Sequence, residues 1–136
     1  MPRILGIDYG MKKCGIAVTD SLQIIVSPLE TIATSNLLSY IDIYIKSENV
    51  EMIVMGEPKH KDGTATYLRE HIDIFIKKIL KLHPNLEFDF QDERMTSIEA
   101  KNIILQSGIR KSKRRDKELI DKVSAVLILQ RYLGHY

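Results

Sequence analysis

Carboxylates that fall where apolar runs stop are the first sign of chemistry in this chain. The run Arg3–Ile7 ends at Asp8–Tyr9–Gly10, and Val50–Met55 ends at Gly56–Glu57–Pro58. The alternating stretch Leu86–Phe90 runs out into Asp92–Glu93–Arg94. Short apolar runs bounded by turn residues read as strands. If those strands are parallel neighbours, their carboxyl ends share one edge, the place where open α/β sheets bind ligands. Acids gathered there repel one another, and a hard cation such as Mg²⁺ or Mn²⁺ would neutralise them. Two such ions about 3.5–4 Å apart can activate water and stabilise the leaving oxygen of a phosphodiester. The expected cofactor is therefore Mg²⁺ or Mn²⁺, as two ions.

Each acid also has an ordinary reading. An Asp before Gly at a strand end is a common turn residue. Glu93 could be a surface charge paired with Arg94, and Glu57 a loop charge. His60, His71, His83 and His135 show no metal-ligand spacing, and with a single cysteine a zinc site is not expected.

A second feature complements the acids. Arg110, Lys111, Lys113, Arg114, Arg115 and Lys117 form a basic run opposed only by Asp116, and hold six of the 20 Lys and Arg residues. Most such runs are solvated loops. Beside an acidic metal site, a run this basic suits a polyanion: the acids act on one phosphate while the loop holds its neighbours. Lys12 and Lys13, in the turn after Asp8, and Arg94, beside Glu93, complete the expected nucleic-acid contacts.

The elements that must position these residues follow from periodicity. Arg3–Ile7 and Cys14–Thr19 read as a hairpin, with Gly10 and Gly15 permitting tight backbone geometry. A third strand is expected over Ile24–Ile32, at an edge because of Pro28. Leu37, Leu38, Ile41 and Ile45 recur at helical spacing, with Ser35 or Asn36 as N-cap. Leu68 to Leu80 gives an amphipathic helix ended by Pro84, after a polar loop over 59–66. Thr96–Ser97–Ile98–Glu99 is a capping-box sequence opening a helix that closes at Gly108, and 109–117 reads as the basic loop. The last helix is expected from about Asp116 to Gly134, apolar nearly all round after Val123 and so packed into the body of the protein. Within it Asp121 shares a face with Ser124, Ala125 and Ile128, whose small members allow close approach to a sheet. The same acid could equally be an early-turn charge favoured by the helix dipole and paired with Lys117. Hairpin first, then strands separated by helices, implies a mixed sheet covered by helices, an α/β fold.

The chain's 136 residues suffice for one domain with a real core and not comfortably for two. Apolar content of 44% and charged content of 28% are ordinary for a globular protein. A formal net charge of +2 does not by itself argue for nucleic acid. Cys14 reads as a small buried hydrophobe. Neither a signal peptide nor a membrane-length apolar run is visible, so a cytoplasmic setting without membrane contact is expected.

Taken together, several of these motifs resemble the YqgF/RuvX family. They are Asp8–Tyr9–Gly10, Gly15–Ile16–Ala17–Val18, Gly56–x–Pro58 with Asp62–Gly63, Asp92–Glu93–Arg94–Met95–Thr96, and Lys117–x3–Asp121–x3–Ala125. The resemblance spans nearly the whole chain in order and spacing. It implies a single ribonuclease H-like nuclease domain over 1–136, a mixed five-stranded sheet flanked by helices. It places the family's catalytic, metal-holding acids on Asp8, Glu93 and Asp121. Members are described as Holliday-junction resolvases or as the nuclease maturing the 5′ end of pre-16S ribosomal RNA. The expected partner is thus structured RNA, with ribosomal precursor particles, or branched DNA. The chain departs from the pattern at Glu57, where Leu is common, and at Lys13, where Arg is common; Lys13 keeps the charge and loses a bidentate phosphate contact. Two other classes compete. One is a non-catalytic RNA-binding assembly factor. The other is an actin-like ATPase, since Asp8–x–Gly10–x4–Gly15 also resembles a phosphate loop, although such proteins resemble two duplicated domains and this chain supplies at most one.

Overall fold

Strand β1 (Arg3–Asp8) is buried on both faces, which is why its sequence reads as a continuous apolar run and not as an alternation. β2 (Lys13–Thr19) returns antiparallel beside it and β3 (Val26–Ala33) antiparallel beside β2. A 3-10 turn (Thr34–Asn36) and helix α1 (Leu37–Ser47) lead to β4 (Val50–Glu57). Helix α2 (Leu68–Leu82), β5 (Glu87–Asp92) and helix α3 (Lys117–Tyr132) follow. The structure, a computed structural model, describes residues 2–57, 68–92 and 117–134; the side chains of Glu57, Asp92 and residues 117–122 fall outside that description. The expected loop 59–66, the helix 96–108 and the basic run from Arg110 to Arg115 also lie outside the described residues.

The sheet runs β3-β2-β1-β4-β5, with β1, β4 and β5 parallel. Strand alternation sorts its side chains between two cores. Leu5, Ile7, Cys14, Ile16, Ile53 and Met55 face α1 and α2 and pack with Leu37, Ile41, Ile72, Phe75 and Ile79. Ile4, Ala17 and Val54 face the other way and meet Ala125, Ile128 and Leu129 of α3. Cys14 is fully buried, as a small hydrophobe should be.

Several boundaries differ from expectation for local reasons. β3 starts at Val26 and not Ile24, because the Ile24 and Ile25 N–H groups both donate to Asp20 Oδ1, at 2.8 and 3.0 Å. β4 continues to Glu57, since Gly56 and Glu57 pair with Gln91 and Asp92. Asn36 does precede α1, but it makes no capping bond: its backbone is already helical (φ −102°, ψ −1°), and the preceding turn engages the Leu37 N–H through Thr34 O. An N-cap side chain reaches the first turn from an extended backbone, which Asn36 lacks. Lys117 opens α3, in keeping with a last helix expected from about Asp116.

Candidate active site

Asp8 closes the strand at the centre of the sheet, with the antiparallel hairpin on one side and the parallel pair on the other. It pairs with Gly15 across the hairpin, one residue beyond the parallel pairing of Ile7 with Met55. The carboxyl ends of β1, β4 and β5 therefore form one edge, and Glu57 and Asp92, paired as the last residues of their strands, share it. Glu93 follows Asp92 directly in the chain and lies outside the described residues.

Alternation in β1 puts Ile4, Gly6 and Asp8 on the face that α3 covers. Gly6 lets the helix come close: a Cβ there would sit 2.5 Å from Leu129 Cγ. Strand-interior glycines often mark such an approach. α3 packs across β1, β2 and β3 and reaches β4 and β5. Ser124 and Ala125 are both buried along it, and so are Leu127, Ile128 and Leu129. The largely apolar helix thus enters the body of the protein as its sequence requires. Asp121 is one turn before Ala125 and two before Ile128, the residues that meet the sheet. At the helix's far end the Tyr132 hydroxyl donates to Asp89 Oδ2 at 2.7 Å. That bond pushes the Tyr132 pKa up to about 12 and, with the Phe90 N–H, holds the Asp89 carboxyl below its usual range.

The turn after Asp8 is held from outside. Thr34 Oγ1 donates to Gly10 O at 2.7 Å, and the Thr34 N–H donates to Lys12 O at 2.9 Å. A Cβ on Gly10 would collide with the Lys13 carbonyl oxygen, so the turn requires glycine. Lys12 and Lys13 are exposed beside it. Of the other expected nucleic-acid contacts, Lys117 is placed only as the first residue of α3, and Arg94, Arg110, Lys111, Lys113, Arg114 and Arg115 fall outside the described residues. Among the described residues no group of three or more His, Cys, Asp or Glu is arranged for a metal. Sequence reasoning gave no role to Gly6, whose signal was a glycine inside an apolar strand. Thr34 had no signal at all, since its partner is 24 residues away.

This topology, with an acid closing the central strand and a helix laid over the acid's face, is that of the ribonuclease H-like nucleases. The family model for RuvX, described as Holliday junction resolvase, matches residues 2–135. A relative from Porphyromonas gingivalis is 45% identical over 135 residues, covering 99% of this chain and 98% of its own. One from Christiangramia forsetii is 44% identical over 133 residues, covering 98% of each. Both are named "Putative pre-16S rRNA nuclease". The chain belongs to the RuvX family, also called YqgF.

Solved structures extend the likeness of fold. The fowlpox virus Holliday junction resolvase superposes with a TM-score of 0.60 at 13% identity, covering 98% of this chain and 99% of that one. Thermus thermophilus RuvC, solved with a Holliday junction substrate, gives 0.58 at 13% identity, covering 98% and 97%. Membership of that family makes the chain a nuclease, a hydrolase of phosphodiester bonds in nucleic acid, and the family implies dependence on divalent metal in general. No helix among the described residues is long and apolar enough to cross a membrane.

Proposed function

We infer that this chain hydrolyses a phosphodiester of structured RNA, maturing the 5′ end of pre-16S ribosomal RNA in precursor particles in the cytoplasm. Asp8, Glu93 and Asp121 are its catalytic acids and hold two ions of Mg²⁺ or Mn²⁺. The observation that carries this reading is the position of Asp8: partly buried, at the carboxyl end of the central strand, on the face packed by α3. The names of the relatives support RNA as the substrate.

The donor chemistry fits a hard divalent cation. Asp8 offers carboxylate oxygens at a half-buried sheet edge whose floor is apolar, and Glu93 and Asp121 would add donors of the same kind. When bound, such cations supply Lewis-acid stabilisation of phosphoryl charge and an acidified water. The chain's own residues do the rest. The Thr34–Gly10 bond keeps the turn, and with it Asp8, in one arrangement, so the carboxylate is held before substrate arrives. Lys12 and Lys13 are exposed to receive neighbouring phosphates, and Arg94, Arg110, Lys111, Lys113, Arg114, Arg115 and Lys117 extend that contact along the strand.

Side-by-side cleavage of precursor 16S rRNA and a four-way DNA junction, with Mg²⁺ or Mn²⁺, tests the reading. Trimming of the RNA by the wild type and its loss in Asp8→Asn are expected. Symmetric cutting of the junction with no action on RNA would transfer the function to branched DNA, the reading the family's description favours. Salt-dependent binding of RNA without metal-dependent cleavage would leave an assembly factor.

A further inference from the structure

On the opposite face of the sheet from Asp8 lies a cavity of about 310 Å³ that the catalytic reading does not use. Its floor is Tyr9. As the neighbour of Asp8 in an extended strand end, Tyr9 turns the other way and packs against the α1/α2 core. One wall is a single stripe of α2, His71, Ile74, Phe75 and Lys78, at spacings of three and four residues. The facing wall is Leu37 and Leu38 at the start of α1. Phe75 and Leu37 are core residues and only bottom the cavity, but Ile74 is 51% exposed, a large apolar side chain left at the mouth.

The lining combines an aromatic ring, aliphatic side chains and a cation. An aromatic ring and aliphatic walls suit a base, and the Tyr9 hydroxyl can donate a hydrogen bond to it. Lys78, exposed and without an ion pair among the described residues, stands at the rim where a phosphate would lie. The cavity also opens at the right end of the sheet. Thr34 lines it and the same residue bonds Gly10 in the turn after Asp8. A strand whose phosphate lies at Asp8 therefore needs only to pass over the carboxyl end of β1 for an adjoining base to enter. A base held in a duplex cannot make that turn without unpairing.

We propose that this cavity receives the base of an unpaired nucleotide flanking the scissile phosphate, with Lys78 on the adjoining phosphate. The chain would then select substrates with a single-stranded segment next to the cut. This rests on the nuclease reading, and binding measured without metal separates the two.

The test uses the full chain and a single-stranded RNA decamer, intact or with one abasic position, together with free AMP and the variants Ile74→Trp and Lys78→Gln. The abasic decamer scanned through each position should bind about tenfold or more weakly at one of them. Ile74→Trp, which fills the mouth, should remove that contrast. Lys78→Gln should reduce the slope of log K against log salt by about one. AMP should bind far more weakly than the decamer; equal affinity would make this a site for free nucleotides and overturn the proposal. Absence of any abasic effect with the wild type overturns it as well, and needs no variant to fold. Cleavage with no abasic effect sinks the pocket and leaves the nuclease, whereas an abasic effect that persists in a protein unable to cleave does the reverse.

Discussion

The sheet face under α1 and α2 is filled by large side chains, Leu5, Ile7, Ile53 and Met55 against Ile41, Ile72 and Ile79. The face under α3 offers Gly6, Ala17 and Val54. The first holds two helices off by bulk, the second lets one helix sit almost on the strands. Asp8 projects from the second. The two faces thus differ in kind: apolar volume on one side and close helix approach on the other, the approach that the proposed site would need for Asp121 to reach Asp8. Substitutions on the two faces should therefore fail in different ways.

The largest effect is expected at the acid itself. Asp8→Asn keeps the side chain's size and removes its charge, and should lower the cleavage rate by about 10²–10³-fold or more, with folding and nucleic-acid binding retained. A purified Asp8→Asn protein with full activity would remove the metal-site reading.

On the bulky face, Ile53→Ala should lose about 2–5 kcal/mol of stability by denaturant unfolding. Its rate per folded molecule should stay unchanged. On the close face, Gly6→Ala should lose less stability, about 1–3 kcal/mol from overpacking against Leu129, yet reduce cleavage, because α3 must lift away from β1. Adding Leu129→Ala makes room for the new methyl, so the double variant should recover activity non-additively. If Gly6→Ala leaves the rate untouched, closeness of the helix is not what the site needs.

Asp121→Asn sharpens the same contrast through sign. As a ligand in an acidic cluster, Asp121 repels its neighbours in the metal-free protein, so the variant should melt at the same temperature or higher while Mn²⁺-induced stabilisation and cleavage collapse. As a helix-terminus charge only, its removal should cost a few tenths to about 1 kcal/mol and spare catalysis.

The smallest effect belongs to the far end of α3. Tyr132→Phe removes an exposed bond to Asp89 and should cost about 0.5–1 kcal/mol. Its pH signature is more telling. A lowered Asp89 pKa means stability present above the ordinary carboxylate range and lost as pH falls through the depressed value. A Tyr132 pKa raised to about 12 means stability complete below about pH 10 and lost as pH climbs towards the raised value. Melting temperatures of Tyr132→Phe should be flatter than wild type at both limits, the part due to the Phe90 N–H surviving at the acid one.

Much of this was legible in the chain because it is local. Apolar runs that stop at Asp8, at Gly56–Glu57 and at Asp92 announce strand ends, and the run from Val123 to Leu129 announces a buried helix, since hydrophobic period and length act within a few residues. The capping role expected of Asn36 failed because a preceding 3-10 turn, invisible as a pattern, had already engaged the main chain. Other features are products of distance in sequence. Gly6 acquires its meaning only when Leu129 is laid over it, and Gly10 only when Thr34 reaches its carbonyl. The cavity over Tyr9 exists only once α1 and α2 stand side by side. The sequence by itself determined the hydrophobic periods of the strands and helices, where strands stop and which acids stand at their ends. Tertiary structure decided which of those ends are neighbours and how closely a helix approaches them, because a one-dimensional pattern encodes burial and period, whereas separation depends on side chains that meet only when the sheet closes.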